Sequence, residues 1–231
     1  MTRIAFAAVS LFPLACFAQI RGSGNLQHET RVVGEFTGVS VSSGIRGEVQ
    51  IGKQHVEVEA DDNVLPLVET IIDDGVLVVR FKPHQWLRTE HTVVVHVTAP
   101  SIDALESSGG SGLKADLTAT NELSIESSGG GDVQAHNVAV KKLKAQVSGG
   151  GALILDGSAD NVKLSMSGGS RCKGEKLQAR VVRIQASGGS TARLAASESV
   201  NGSASGGSVI HVRGKPETRV SRSGGSTVET D

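Results

Sequence analysis

Between Ser101 and the end of the chain, Ser-Gly-Gly followed by Ser or Gly returns seven times. The copies run Ser108–Ser111, Ser128–Gly131, Ser148–Gly151, Ser167–Ser170, Ser187–Ser190, Ser205–Ser208 and Ser223–Ser226. Their first glycines are separated by 20, 20, 19, 20, 18 and 18 residues. A repeat this short has no room for a crossover helix. Near-constant spacing points instead to one small unit stacked on the next.

Aligned on the first glycine, the repeats show which positions face inward. Four residues before it stand Leu105, Ile125, Ala145, Leu164, Ile184, Gly202 and Val220. Six before it stand Leu123, Leu143, Val162, Val182, Val200 and Thr218, with Asp103 in the first copy. Four after it come Leu113, Val133, Leu153, Cys172, Ala192, Ile210 and Val228; six after it come Ala115, Ala135, Leu155, Gly174, Leu194 and Val212. The residues between are polar or charged, the period-two pattern of strands with one buried face. Each repeat therefore reads as strand, Gly-Gly corner, strand and a looser connection. The chain is predicted to be all-β, a single-stranded parallel β-helix of about 18–20 residues per coil with coils about 4.8 Å apart. Glycine at each corner tolerates positive φ and close backbone approach. Ser-Gly-Gly tracts also occur in flexible linkers, but linkers do not hold an apolar register through seven copies.

Residues 1–18 have the layout of a secretory signal: Arg3, an apolar run from Ile4 to Ala15, and small residues at Cys16 and Ala18, with cleavage expected before Gln19. The run is too short to span a bilayer, so no transmembrane span is expected in the mature chain. The alternative is lipidation of Cys16, although Pro13 stands where a lipoprotein signal usually carries Leu. After cleavage Cys172 is the sole cysteine, which leaves no intramolecular disulfide. Its inward position makes it a buried, inert thiol. Cleavage leaves 22 Lys and Arg against 24 Asp and Glu, no overall basic field, and hence no nucleic-acid partner.

Residues 19–35 read as a loose leader or first edge strand, and 36–100 as irregular strands that cap the solenoid and form its first coils, since an open end must be closed. Ser42-Ser43-Gly44 with Val49 and Ile51 looks like a degenerate copy of the repeat, one residue out of phase. Ile71 to Val79 reads as a hairpin around Asp74-Gly75. The seven repeats occupy 101–231.

Catalysis finds little support. Parallel β-helix enzymes acting on polysaccharides need carboxylates converging from neighbouring coils. Asp116, Asp132 and Asp156 do not share one offset from their glycines; Glu106 and Glu126 do, on an outward polar face. No histidine recurs beside the corner serines to activate them; His136 and His211 look isolated. Gly129 to Asp132 resembles a calcium-roll fragment in only one copy. His91 and His96, five apart on an apparent strand, should face opposite ways, and no metal-ligand spacing is found. Neither metal nor cofactor is expected. The best small-ligand candidate is the loop of His84, Trp86 and Arg88, since Trp86 offers a stacking ring. All mature-chain aromatics (Phe36, Phe81 and Trp86) precede the repeats.

Taken in order, Phe36-Thr37-Gly38-Val39-Ser40-Val41, Val56 to Asn63, Asp74-Gly75-Val76-Leu77, Val95 to Pro100 and the Ser-Gly-Gly repeats resemble the head GIN domain family, described as autotransporter adhesins. The similarity runs from about Phe36 to Glu229. It implies a right-handed single-stranded β-helix in an exported bacterial protein, an envelope or adhesion module without established catalytic residues. The chain itself has no long stalk and no membrane barrel of its own. The expected function is thus non-enzymatic, structural or adhesive, in the periplasm, on the outer membrane surface or secreted. The expected partner is another copy, an envelope protein or a glycan. The alternative is a carbohydrate-active enzyme acting on an acidic polysaccharide.

Overall fold

In the computed structural model, residues 19–84 and 87–231 are described. The signal segment with Cys16, and Trp86, lie outside them. Ser-Gly-Gly corners stack in register. Leu105 pairs with Ile125, Ile125 with Ala145, Ala145 with Leu164, and Leu164 with Ile184, always in parallel. After the corner, Leu113, Val133, Leu153, Cys172, Ala192, Ile210 and Val228 form a second ladder. Up to Ile210 these are all buried, as are the residues two further on from Ala115 to Val212. The period-two reading therefore gives the core directly.

Three details differ from the sequence reading. A third inward column lies two residues before the first glycine: Val41, Ser107, Ser127, Val147, Met166, Ala186 and Ala204, all buried. It narrows the core toward the corner, and the Ser127 hydroxyl donates to the Gly131 carbonyl at 2.6 Å. Secondly, Gly202 stands in an inward column yet is exposed, with φ of 152°. A methyl there would lie 1.7 Å from the Ile184 carbonyl oxygen, so the backbone itself fills the space. Thirdly, the corners are of two kinds. Every first glycine has positive φ, but the second does so only at Gly110, Gly130, Gly150 and Gly225, not at Gly169, Gly189 or Gly207.

Changes in repeat length are absorbed away from the corner. Register shifts fall between Ala135 and Val138, between Ile154 and Asp156, between Gly174 and Gln178 and between Ala179 and Val181. All lie at or beyond the second inward position after the corner, where a bulge leaves the corner itself undisturbed.

Residues 38–51 are a genuine coil. Gly38–Val41 pairs with Ala104–Ser107, and Arg46–Ile51 with the strand Gly112–Asp116. Ser43, with φ of 64°, takes the place of the first glycine, and Gly44 that of the second. Counted so, this copy is in phase with the others. On its other side, Gly38–Val41 pairs with Val76–Phe81 and Arg46–Ile51 with Val94–Ala99, again in parallel. The first coil in sequence is thus the second level of the stack.

Beyond that outer level the pairing turns antiparallel. Val68–Asp73 forms the expected hairpin with Val76–Phe81, its turn built on Asp74 and Gly75 with φ of 46° and 77°. His55–Asp61 covers Val94–Ala99, and Leu26–Thr30 covers His55–Asp61. The leader is therefore part of the sheet. Its start is tied to Asp61-Asp62-Asn63: the Ser23 hydroxyl donates to Asp62 at 2.5 Å and the Asn63 amide to the Arg21 carbonyl at 2.8 Å. Asp61 is wholly buried. Burial pushes its carboxyl up, but hydrogen bonds from the His91 ring and the Glu90 and His91 backbone outweigh this and hold it below its ordinary 3.8.

Candidate functional site

On the sheet face before the corner, residues alternate with the core and point outward. Three residues before the first glycine, Glu106 pairs in register with Glu126, then come Gln146, Ser165, Gln185, Ser203 and Ser221. The aligned glutamates are exposed, as the spacing required. Five residues before the glycine, Ser124, Lys144, Lys163, Arg183, Asn201 and Arg219 are likewise stacked partner on partner. Lys144, Lys163 and Arg183 are exposed, and among the described residues none of the three makes an ion pair. Shallow grooves of about 470 and 320 Å³ lie along this column and share Lys163 and Arg183.

This column escaped the sequence reading because the net charge is close to zero. The repeat alignment already contained the signal. From five before to five after the first glycine, the windows 144–154, 163–173, 183–193 and 201–211 hold Lys144, Lys163, Arg171, Lys173, Arg183 and Arg193 and no acidic residue. In the same windows of the other copies the acids are Glu106, Glu126 and Asp132 in the first two and Glu229 in the last. Within these windows the middle four copies carry only positive charge.

Several other cross-coil pairs are of opposite sign. Lys142 bonds Glu122 at 2.5 Å, Arg180 bonds Glu198 at 2.8 Å, and Arg46 passes over Gly112 to meet Asp132 at 3.0 Å. The histidines taken as isolated belong to this pattern. His211 meets Glu229 at 2.9 Å, and His136 Nδ1 lies 2.6 Å from Asp156. Asp116, His136 and Asp156 in fact share one offset, seven residues after their glycines, so they stack as acid, imidazole, acid. Asp156 also accepts from the Asn137 backbone at 2.8 Å, and the Asn137 amide donates to Asp116 at 2.7 Å. Burial raises the Asp156 carboxyl, while His136, the Asn137 backbone and Lys176 together bring it below the ordinary value. Asn137 has φ of 55° at the bend, so these contacts hold a turn. No nucleophile stands in the set.

His91 is not on a strand. It precedes Val94–Ala99 and places Nδ1 2.8 Å from the buried Asp61, whereas His96 faces outward between Glu48 and Glu59 at 3.3 and 3.8 Å. The cause is Asp61, whose buried charge draws the loop over it. Among the described residues no group of three or more His, Cys, Asp or Glu is placed to hold a metal ion. His84 is exposed with φ of 61°, and Arg88 is exposed on the short strand Leu87–Arg88. Cys172 is buried, and burial, with Glu175, pushes its thiol up to about 12. Among the described residues, no helix is long and apolar enough to cross a membrane.

Stacked parallel coils with an antiparallel cap and a polar laddered face define a β-solenoid. Residues 35–216 match "Putative auto-transporter adhesin, head GIN domain", and the chain belongs to that family. The fold is similar to that of a "putative adhesin" from Bacteroides fragilis (TM-score 0.86, 22% identity, 92% of this chain and 100% of that one). It is also similar to a "putative lipid binding protein" from Parabacteroides distasonis (0.75, 16%, 93% and 100%) and a "putative adhesin" from Parabacteroides merdae (0.72, 19%, 92% and 99%). At these identities the likeness concerns the fold. No curated protein matches the chain.

Proposed function

We propose that the protein is an exported, non-enzymatic adhesion module of the bacterial envelope, a rigid rod that binds through the sheet face before its glycine corners. The carrying observation is the outward ladder: polar side chains in register over successive coils, on a backbone fixed by interstrand hydrogen bonds. Such a face offers a repeated contact without ordering a loop, which lowers the entropic cost of binding. A non-enzymatic role is supported by the titratable groups. His136, Asp156, Asp61 and His91 are engaged in holding turns, and among the described residues the aligned Glu106 and Glu126 pair with no cation or histidine. The adhesin description of the family supports the same reading. The loop of His84, Trp86 and Arg88 is proposed as a second contact.

Fractionation of the native cell, with mass spectrometry of the mature amino terminus, tests export and the choice between a Gln19 start and a lipidated Cys16. Purified protein should then co-sediment with isolated envelopes in a saturable way, and excess unlabelled protein should compete. A cytoplasmic location, or no saturable retention, refutes the proposal. Steady turnover of an acidic polysaccharide, abolished in Glu126→Gln, would establish the enzyme alternative.

A further inference from the structure

We infer that the column Lys144–Lys163–Arg183 is the adhesive contact and that its ligand is a linear acidic polysaccharide, a chain of sugar acids lying along the rod. This rests on the adhesion reading above and gives it a ligand class. Three observations carry it. The three cations stand on consecutive coils, partner on partner, so positive charge repeats at the interstrand spacing of about 4.8 Å. Like charges directly opposite on neighbouring strands repel, and the chain avoids this at Lys142–Glu122, Arg180–Glu198 and His211–Glu229. At Lys144, Lys163 and Arg183 the repulsion is left standing over three consecutive coils, where Glu106–Glu126 and Lys173–Arg193 leave it over two, and an external anion would relieve it.

The surroundings suit sugar rather than other polyanions. Gln146, Ser165 and Gln185 flank the cations on one side and Asn161 on the other, supplying amides and hydroxyls for sugar hydroxyl groups, while the groove's acids, Asp103 and the Lys142-bound Glu122, lie toward its Lys144 end, away from Arg183. The two grooves along the column are both lined by Lys163 and Arg183, so a ligand in either meets these cations. Nucleic-acid bases would find no aromatic side chain to stack on, because the repeats contain none. A linear chain of sugar acids presents one carboxylate per residue at a repeat close to the strand spacing, and a single lipid headgroup does not.

Lys173 and Arg193, stacked on the face after the corner, supply an internal control. Among the described residues they too make no ion pair, but the next residue of their column, His211, is already held by Glu229.

The full-length protein is titrated at physiological ionic strength with polygalacturonate, with dextran as the neutral chain and with single-stranded DNA as the competing polyanion. Expected is saturable binding of polygalacturonate alone, weakened about tenfold or more in the triple variant Lys144→Gln/Lys163→Gln/Arg183→Gln. The variant Lys173→Gln/Arg193→Gln should lose less than about threefold. All five side chains are exposed, so both variants should melt as the parent does. Equal losses in the two variants would reduce the effect to bulk charge and overturn the inference, as would DNA bound as tightly as polygalacturonate. Envelope retention without any polygalacturonate binding removes the inference and leaves the adhesion reading. Loss of envelope retention itself removes both.

Discussion

Adjacent glycines of one corner should respond oppositely to the same methyl group. Gly188 has φ of 70°, and an added Cβ would stand 3.0 Å from the nitrogen and the oxygen of Gly168, one coil below. Alanine there incurs about 1–2 kcal/mol for the left-handed conformation. Forcing two corners apart adds about 1–3 kcal/mol. Gly189 lacks positive φ, and its Cβ would meet only the Gly168 oxygen at 3.9 Å, so space is open. Alanine at 189 removes freedom from the unfolded chain and should stabilise by about 0.4–1 kcal/mol. Urea unfolding of Gly188→Ala and Gly189→Ala, followed by circular dichroism, measures both. The first midpoint should fall, with a Tm at least about 4 °C lower at about 2–4 °C per kcal/mol for a chain of this size, and the second should hold or rise. Equal destabilisation of the two would refute the reasoning, because it would mean that both glycines are fixed by the corner.

Leu164→Asp should unfold the stack, since it sets an unpaired charge between Ala145 and Ile184 at a cost of about 4 kcal/mol or more; an unchanged melting curve would show the faces misassigned. Asp61 has a folded pKa below 3.8, so it contributes stability above that value that is lost as pH falls through the folded pKa. Below pH 3.8, wild type should therefore lose stability more steeply than Asp61→Asn in parallel urea titrations. Ser43→Gly relieves the one first-glycine position held by another residue and should raise stability by about 1 kcal/mol, read as a higher urea midpoint. Native Cys172 should ignore a thiol reagent at pH 8 and react fully in urea; labelling of the folded protein would contradict its burial.

The repeat made the coil legible because a solenoid core is local: each inward residue packs on its counterpart about 20 residues away, and the alignment shows both. Leu105, Ile125, Leu164 and Cys172 could therefore be placed from spacing alone. The cap was legible only in kind. That residues 38–51 lie between 76–99 and 104–116 depends on pairings no short pattern encodes, and Ser43 disguised the corner because a serine stood where positive φ was needed. Asp61 with His91, and His136 with Asp156, were missed for the same reason: each pair joins residues whose relation appears only when strands or coils are stacked. Lys144, Lys163 and Arg183 were within reach of the alignment, five places before each glycine, and were hidden by a total charge near zero.

The order of levels in the stack differs from the order of synthesis. Gly38–Val41 and Arg46–Ile51 find their two neighbours in residues 76–99 and 104–116, so both levels that flank the earliest coil come from later in the chain. The middle level is enclosed from both sides only once about residue 116 is present. From there the order of levels and the order of the chain coincide, each Ser-Gly-Gly copy lying on the one before it.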